Sequence, residues 1–243
     1  MKNRFLWLLP LTTLAWAHAE TSAPTAIVIA PVVDVWSEPS DDPAQLTDDK
    51  RETQVLFQEK VLIRQSSGAW VRIEVPDQPE YTHHSRWEGY PGWIPNRYLW
   101  QPSKSNDFRS AIVDAARQML ATGYVWGGLS AGHGLDCSGL VHLAYRLNGL
   151  KVPRDAHDQW MKATKIKRGD LQPGDLIFSA KAVQPDKVTH VVMYTGHGRI
   201  IEAPQLGQTV REIPFEEKFG KPLKDVQTGD TVGERVVYFG RYL

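Results

Sequence analysis

The chain has 243 residues, 28 basic and 28 acidic, for a formal net charge of zero, and 42% of it is hydrophobic. That length suits one large domain or two small ones, with enough apolar residues for a core. No basic excess exists to neutralise phosphates, which argues against nucleic acid as a main partner.

Residues 1–19 read as a signal peptide. Lys2 and Arg4 precede an apolar run from Phe5 to about Ala17, and Ala17-His18-Ala19 is a small-x-small cleavage pattern. The run is short for a membrane span and contains Pro10. No Cys follows it for lipid attachment. The expectation is an exported protein, periplasmic or secreted, starting near Glu20 and without a stable membrane anchor.

Residues 26–101 read as short strands: "AIVIAPVVDVW", "TQVLFQEKVLIRQ", "AWVRIEV" and "GYPGWIPNRYLW". Val61 and Ile63, then Val71 and Ile73, alternate with polar residues, as half-buried strands do. Turn formers crowd "SEPSDDP" and "PDQPEYTHHSRWEG". The expectation is a small β-barrel, followed by a polar link, "QPSKSND", at 101–107. The nine Trp are assigned first to packing.

From Phe108 the apolar residues Ile112, Val113, Ala116, Met119 and Leu120 fall at helical spacing, with Ser105 or Asn106 available as a cap. A glycine-rich stretch, "GYVWGGLSAGHGLDCSG", leads into a second stripe of Cys137, Leu140, Val141, Ala144 and Leu147, ended by "NGL". After "KVPRDAHDQW" come strand patterns: "GDLIFSA", "VTHVVMYTG", "GRIIEAP" and "RVVYFGRYL". Helices first, then an antiparallel sheet, indicate an α+β domain over 106–243.

Cys137 is the one cysteine, so it forms no internal disulfide. A helix N-terminus stabilises an anion and lowers a thiol's pKa, and Gly139 lets that first turn approach a substrate. A packed core thiol fits the same stripe equally well. A thiolate nucleophile needs a base. His190 stands among valines, where a satisfied core histidine is the commoner case, and Glu202 lies in the next strand. The two share a sheet face only if the connecting loop is odd or a bulge intervenes, which Gly196 and Gly198 permit. Glu202 then orients the ring. The histidines lack metal-ligand spacing, so neither metal nor other cofactor is implied.

The ordered motifs "YVWGG…LDCSGLV…PRDAHDQ…GDLIF…THVVMYTGHGRIIEA" resemble the NlpC/P60 cysteine peptidases of bacterial cell walls. "GYPGWIP" resembles part of a bacterial SH3-like (SH3b) barrel. The resemblance covers about 106–243 and, more loosely, 28–101. It implies a papain-like domain with helices packed on an antiparallel sheet. It implies Cys137 as nucleophile, His190 as base and then acid, Glu202 as third residue, and Tyr124 with the Cys137 N–H as oxyanion donors. Many members carry His at position 202, and Asn or Gln also occur, so Glu departs from the pattern. Asp155 matches an amine-binding aspartate of γ-D-glutamyl-L-diamino acid endopeptidases, which release L-Ala-γ-D-Glu from wall peptides. A buried carboxylate there would reject substrates without the ammonium. Ser138 is implied as a contact for the D-Glu carboxylate, with Arg154 beside it, and Tyr90 and Glu59 as barrel residues walling the pocket. The expected substrate is L-Ala-γ-D-Glu-diamino acid, and the expected state a monomer. Two readings stay open beside this one: an endopeptidase on intact murein crosslinks, and a non-catalytic wall-binding module with an inactive peptidase domain.

Overall fold

The structure, a computed structural model, describes residues 23–101 and 107–243. The expected signal peptide and the caps Ser105 and Asn106 lie outside the described residues. Among those described, no helix is long and apolar enough to cross a membrane.

The N-terminal part is all strand: β1 (Thr25–Val28), β2 (Val32–Trp36), β3 (Arg51–Leu56), β4 (Lys60–Ser67), β5 (Trp70–Glu80), β6 (Glu88–Pro95) and β7 (Leu99–Trp100). They form one antiparallel sheet in the order β3-β2-β6-β5-β4-β1-β7. The expected barrel is not closed: β3 and β7 end the path, and β7 is only two residues long. Alternation puts Val28, Val35, Val55, Val61, Val71, Ile73, Val75 and Ile94 into one buried cluster.

The second part begins with α1 (Phe108–Arg117), capped by Asp107, whose carboxylate accepts from Arg109 N and Ser110 N. The helix stops before Met119 and Leu120. Met119 is buried and Leu120 exposed, so the expected stripe is one turn too long. A short hairpin, β8 (Leu129–Ser130) and β9 (Gly134–Leu135), leads into α2 (Cys137–Leu147). Asn148 and Gly149, the latter at φ 80°, end α2. Then come α3 (Ala156–Lys162), β10 (Thr164–Lys165), β11 (Leu176–Lys181), β12 (Val188–Gly196), β13 (Arg199–Glu202), β14 (Arg211–Pro214), α4 (Phe215–Phe219), β15 (Thr231–Val232) and β16 (Arg235–Arg241).

These strands make an antiparallel sheet, β10-β16-β11-β12-β13-β14, with β15 on β16. The whole is mixed α/β and mostly sheet. Alternation divides the sheet's residues between two cores. Leu176, Phe178, Val191, Met193 and Ile201 join α1 and α2 in one cluster. Ile177, Val192, Ile200, Val237 and Phe239 join Phe215 and Phe219 of α4 in the other. Each fully buried side chain of this size contributes roughly 1.5–3 kcal/mol, so burial on both faces fixes the sheet behind α2.

Candidate active site

Asp136 fixes the start of α2. It is the N-cap, with Oδ1 accepting from Gly139 N at 2.7 Å, while Oδ2 accepts from Gly127 N at 2.9 Å. Arg154 donates to both carboxylate oxygens at 2.9 and 2.8 Å, to Ser138 Oγ at 3.0 Å and to the Gly128 carbonyl at 3.1 Å. One aspartate therefore ties the helix end, the glycine loop and the segment before α3 together. Gly139 serves this packing rather than substrate approach: a Cβ there would overlap the Gly128 carbonyl oxygen.

Cys137 is the first residue of α2 and is 7% exposed. Burial pushes its thiol up, but hydrogen bonding and charge from His190 outweigh that, and the thiol lies below its usual value. His190 is 8% exposed on β12. Burial alone would lower its pKa. Hydrogen bonds to Cys137 and Glu202 reverse this and raise it. The two directions favour a thiolate–imidazolium pair.

Glu202 is fully buried and accepts from His190 Nε2 at 3.1 Å, which leaves Nδ1 as the ring nitrogen for Cys137. The parity problem is solved by a bulge. His197 and Gly198, at φ 51° and 72°, make a two-residue turn, and Gly196 pairs with Arg199. Continued unshifted, that pairing would put His190 and Glu202 on opposite faces. The register shifts between Tyr194 and Gly196, after which Tyr194 pairs with Ile200 and Met193 with Ile201. Glu202 thereby falls opposite Val192, a diagonal step from His190 and within reach of a long side chain.

Burial also pushes Glu202 up, yet His190 and then the Lys218 ammonium bring it down to about 2. Lys218 Nζ lies 2.6 Å from Oε2, and Arg211 Nη2 lies 2.9 Å from Oε1. Neither cation was among the sequence candidates. Arg211 directly faces Glu202 across β13 and β14, a register that exists only in the folded sheet.

A cleft of about 620 Å3 opens over Cys137. Trp126, Ser138, Arg154, Asp155, His157 and Lys187 share its lining with Cys137. Trp126 is 85% exposed, so it is not the packing residue that tryptophans usually are. Asp155 stands at the N-cap position of α3, yet its side chain makes no capping hydrogen bond. It is exposed rather than buried, because it sits at the cleft mouth. Ser138 Oγ donates to Asp136 at 3.2 Å and accepts from Arg154, so its hydroxyl is held within that network. Tyr124 is half-buried. Burial, then the charges of Cys137 and Asp136, raise its pKa, and the phenol stays protonated as a donor.

Tyr90 and Glu59 do not line this cleft. The Tyr90 hydroxyl lies 3.5 Å from Glu52, and Glu59 bonds Leu56 N and Gln78 Nε2, both within the N-terminal sheet. Gln58, beside Glu59, accepts from Arg146 of α2. Arg146 is nine residues beyond Cys137, roughly 13 Å along the helix, so this contact lies at the end of α2 away from the thiol. Among the described residues no cluster suited to a metal ion occurs.

Residues 121–230 match the NlpC/P60 family. The chain is 28% identical over 235 residues to a gamma-D-glutamyl-L-lysine dipeptidyl-peptidase of Bacillus subtilis (strain 168), covering 70% of this chain and 78% of that one. It is 34% identical over 157 residues to a probable endopeptidase, YafL, of Escherichia coli (strain K12), covering 61% of each. A crystal structure of an NlpC/P60 family protein from Bacillus cereus aligns over 90% of this chain and 99% of its own, at 22% identity and a TM-score of 0.46.

Proposed function

We propose that this chain, whose residues 121–230 match the NlpC/P60 family, is an exported cysteine peptidase of that family that cuts the γ-D-glutamyl-L-diamino acid bond of cell-wall peptides. The observation that carries the reading is a buried thiol at a helix N-terminus, beside an imidazole whose far nitrogen is held by Glu202 at 3.1 Å. The names of the relatives, a γ-D-glutamyl-L-lysine dipeptidyl-peptidase and a probable endopeptidase, support the substrate class.

In this reading the Cys137 thiolate attacks the γ-glutamyl carbonyl. The oxyanion forms beside the N–H groups of the first turn of α2, with the Tyr124 hydroxyl as a second kind of donor. His190 passes its proton to the departing amine of the diamino acid. It then takes a proton from water, which hydrolyses the thioester and frees the thiol. Asp155, with its carboxylate free of capping at the cleft mouth, receives the ammonium of L-Ala.

The test is hydrolysis of L-Ala-γ-D-Glu-meso-diaminopimelate beside its N-acetylated copy, followed by mass spectrometry. Cleavage of the free-amine peptide alone is the expected result. Equal cleavage of both would replace the amine pocket with an open groove for intact wall. Cleavage of neither would overturn the peptidase reading.

A further inference from the structure

A carboxylate is a demanding third partner for a reactive imidazole. Glu202 brings a full negative charge into a position with no solvent exposure, where an uncompensated ion costs several kcal/mol. The fold meets that charge with two cations and divides the carboxylate between them. Oε1 accepts from Arg211 Nε at 3.2 Å and Nη2 at 2.9 Å. Oε2 holds Lys218 Nζ at 2.6 Å and His190 Nε2 at 3.1 Å. Four donors meet the roughly four lone-pair positions a carboxylate offers, so a rotated Glu202 would lose bonds.

Lys218 reaches this point because α4 is pinned. Phe215 and Phe219 stack with ring centroids 4.4 Å apart and are buried in the second core. Gly220, at φ 75°, ends the helix directly after them. The Lys218 side chain is left only 15% exposed, against 39% for Arg211. Such a lysine is far less screened than a surface ion pair.

We infer that Lys218 is a positioning residue for the Cys137–His190 pair: its ammonium shares Glu202 Oε2 with the imidazole and cancels the charge beside it. Glu202 then acts as a fixed acceptor whose charge is offset, and it does not over-stabilise the imidazolium. The inference rests on the peptidase reading only in taking Cys137 and His190 as the reacting pair.

The other charged groups around His190 come from the packed elements, among them α3, which packs on β12 and carries His157 and Asp158. Cys137 comes from α2, with Asp136 and its Arg154 partner behind it. Glu202 comes from β13 and Arg211 from β14, the latter 3.8 Å from Glu217. On β11, Ser179 pairs with His190 and takes a long hydrogen bond, 3.5 Å, from Arg235 of β16. Arg211 is bound to the far oxygen of Glu202, so among the described residues Lys218 is the cation on the oxygen that His190 uses.

The sign of the effect is fixed. Without the ammonium, only Arg211 on the far oxygen offsets the carboxylate, the oxygen facing the ring loses its cation, and His190 keeps its proton to higher pH. The readout is the rate at which iodoacetate inactivates the full chain as a function of pH. This anionic reagent prefers the thiolate–imidazolium form, so the alkaline limb of the profile follows the loss of the imidazolium proton.

For Lys218→Met the alkaline limb is expected to move up by about one pH unit, the effect of a nearby partly screened charge. Lys218→Arg is expected to leave it at the wild-type position. An unmoved limb in Lys218→Met overturns the inference. Should Lys218→Met not fold, Glu202→Gln with Lys218→Met removes charge and counter-charge together. Its limb is expected near wild type. A limb as low as that of Glu202→Gln alone would overturn the role of Lys218. No peptide substrate enters the measurement. A moved limb in a protein that cleaves no wall peptide overturns the proposed function and leaves Lys218 in place. An unmoved limb in an active peptidase does the reverse.

Discussion

At Cys137 and its neighbours the outcome turns on where protons reside. Replacing the sulfur with Cys137→Ala removes the proposed nucleophile but only a small part of a buried side chain. Hydrolysis is expected to fall by at least about a thousandfold, with the thermal midpoint little changed; turnover close to wild type would assign the nucleophile elsewhere. Glu202 carries a pH signature of its own. Its folded pKa, about 2, lies below the unfolded value. Its contribution is therefore complete above the unfolded carboxylate range and is lost as pH falls through about 2. The contribution is on the order of 3 kcal/mol. Denaturant unfolding of wild type and Glu202→Gln from pH 7 downward checks it: the gap between them should narrow only in acid. Asp155 differs because it is exposed. Its proposed pairing with an ammonium is screened, so Asp155→Asn is expected to reduce kcat/KM for the free-amine peptide by about five- to tenfold, with the thermal midpoint little changed. An unchanged kcat/KM would remove Asp155 from substrate binding.

At the scale of elements, α2 and the loop before it are packed as one piece. Gly139 lies against the Gly128 carbonyl, and Asp136 and Arg154 bind the same loop. Gly139→Ala forces helix and loop apart. It is expected to cost roughly 1–3 kcal/mol, as overpacking does, and to lower activity because Trp126 and Gly127 are displaced from the cleft. Denaturation midpoints and kcat/KM measured together test this; a stable, fully active variant would refute it. The same scale explains which elements could be read in advance. α2, β11, β12 and β16 have enough residues for a period of 3.6 or 2 to show. α4 has five residues and β14 four, too few for either period, and these two supply Lys218 and Arg211.

Across the whole molecule, the N-terminal sheet is fastened to the rest through shared burial. Ile29 and Trp100 belong to the same core as α1 and α2. Arg146 donates to Gln58 and lies over the Phe57 ring at 5.4 Å. Unfolding is therefore expected to be a single transition by both circular dichroism and tryptophan fluorescence. Trp100→Ala is expected to lower the stability behind it by about 3–5 kcal/mol. Two separated transitions in wild type would mean that the parts fold independently.

Much of the candidate site was legible in the chain itself. A lone Cys137 after Asp136, a histidine inside a valine-rich strand and a glutamate twelve residues on are local facts of composition and spacing. They are readable because helix ends and strand alternation follow from a few neighbouring residues. What Tyr90 and Glu59 face was not readable, because it depends on which end of α2 the N-terminal sheet meets. The pairing of His190 with Glu202 needed a bulge that glycines permit but do not dictate. The cations on Glu202 come from segments whose short patterns carry no signal. The approach of Lys218 is set by Phe215 and Phe219 finding the second core, and that of Arg211 by the pairing of β14 with β13; both exist only once the chain has folded.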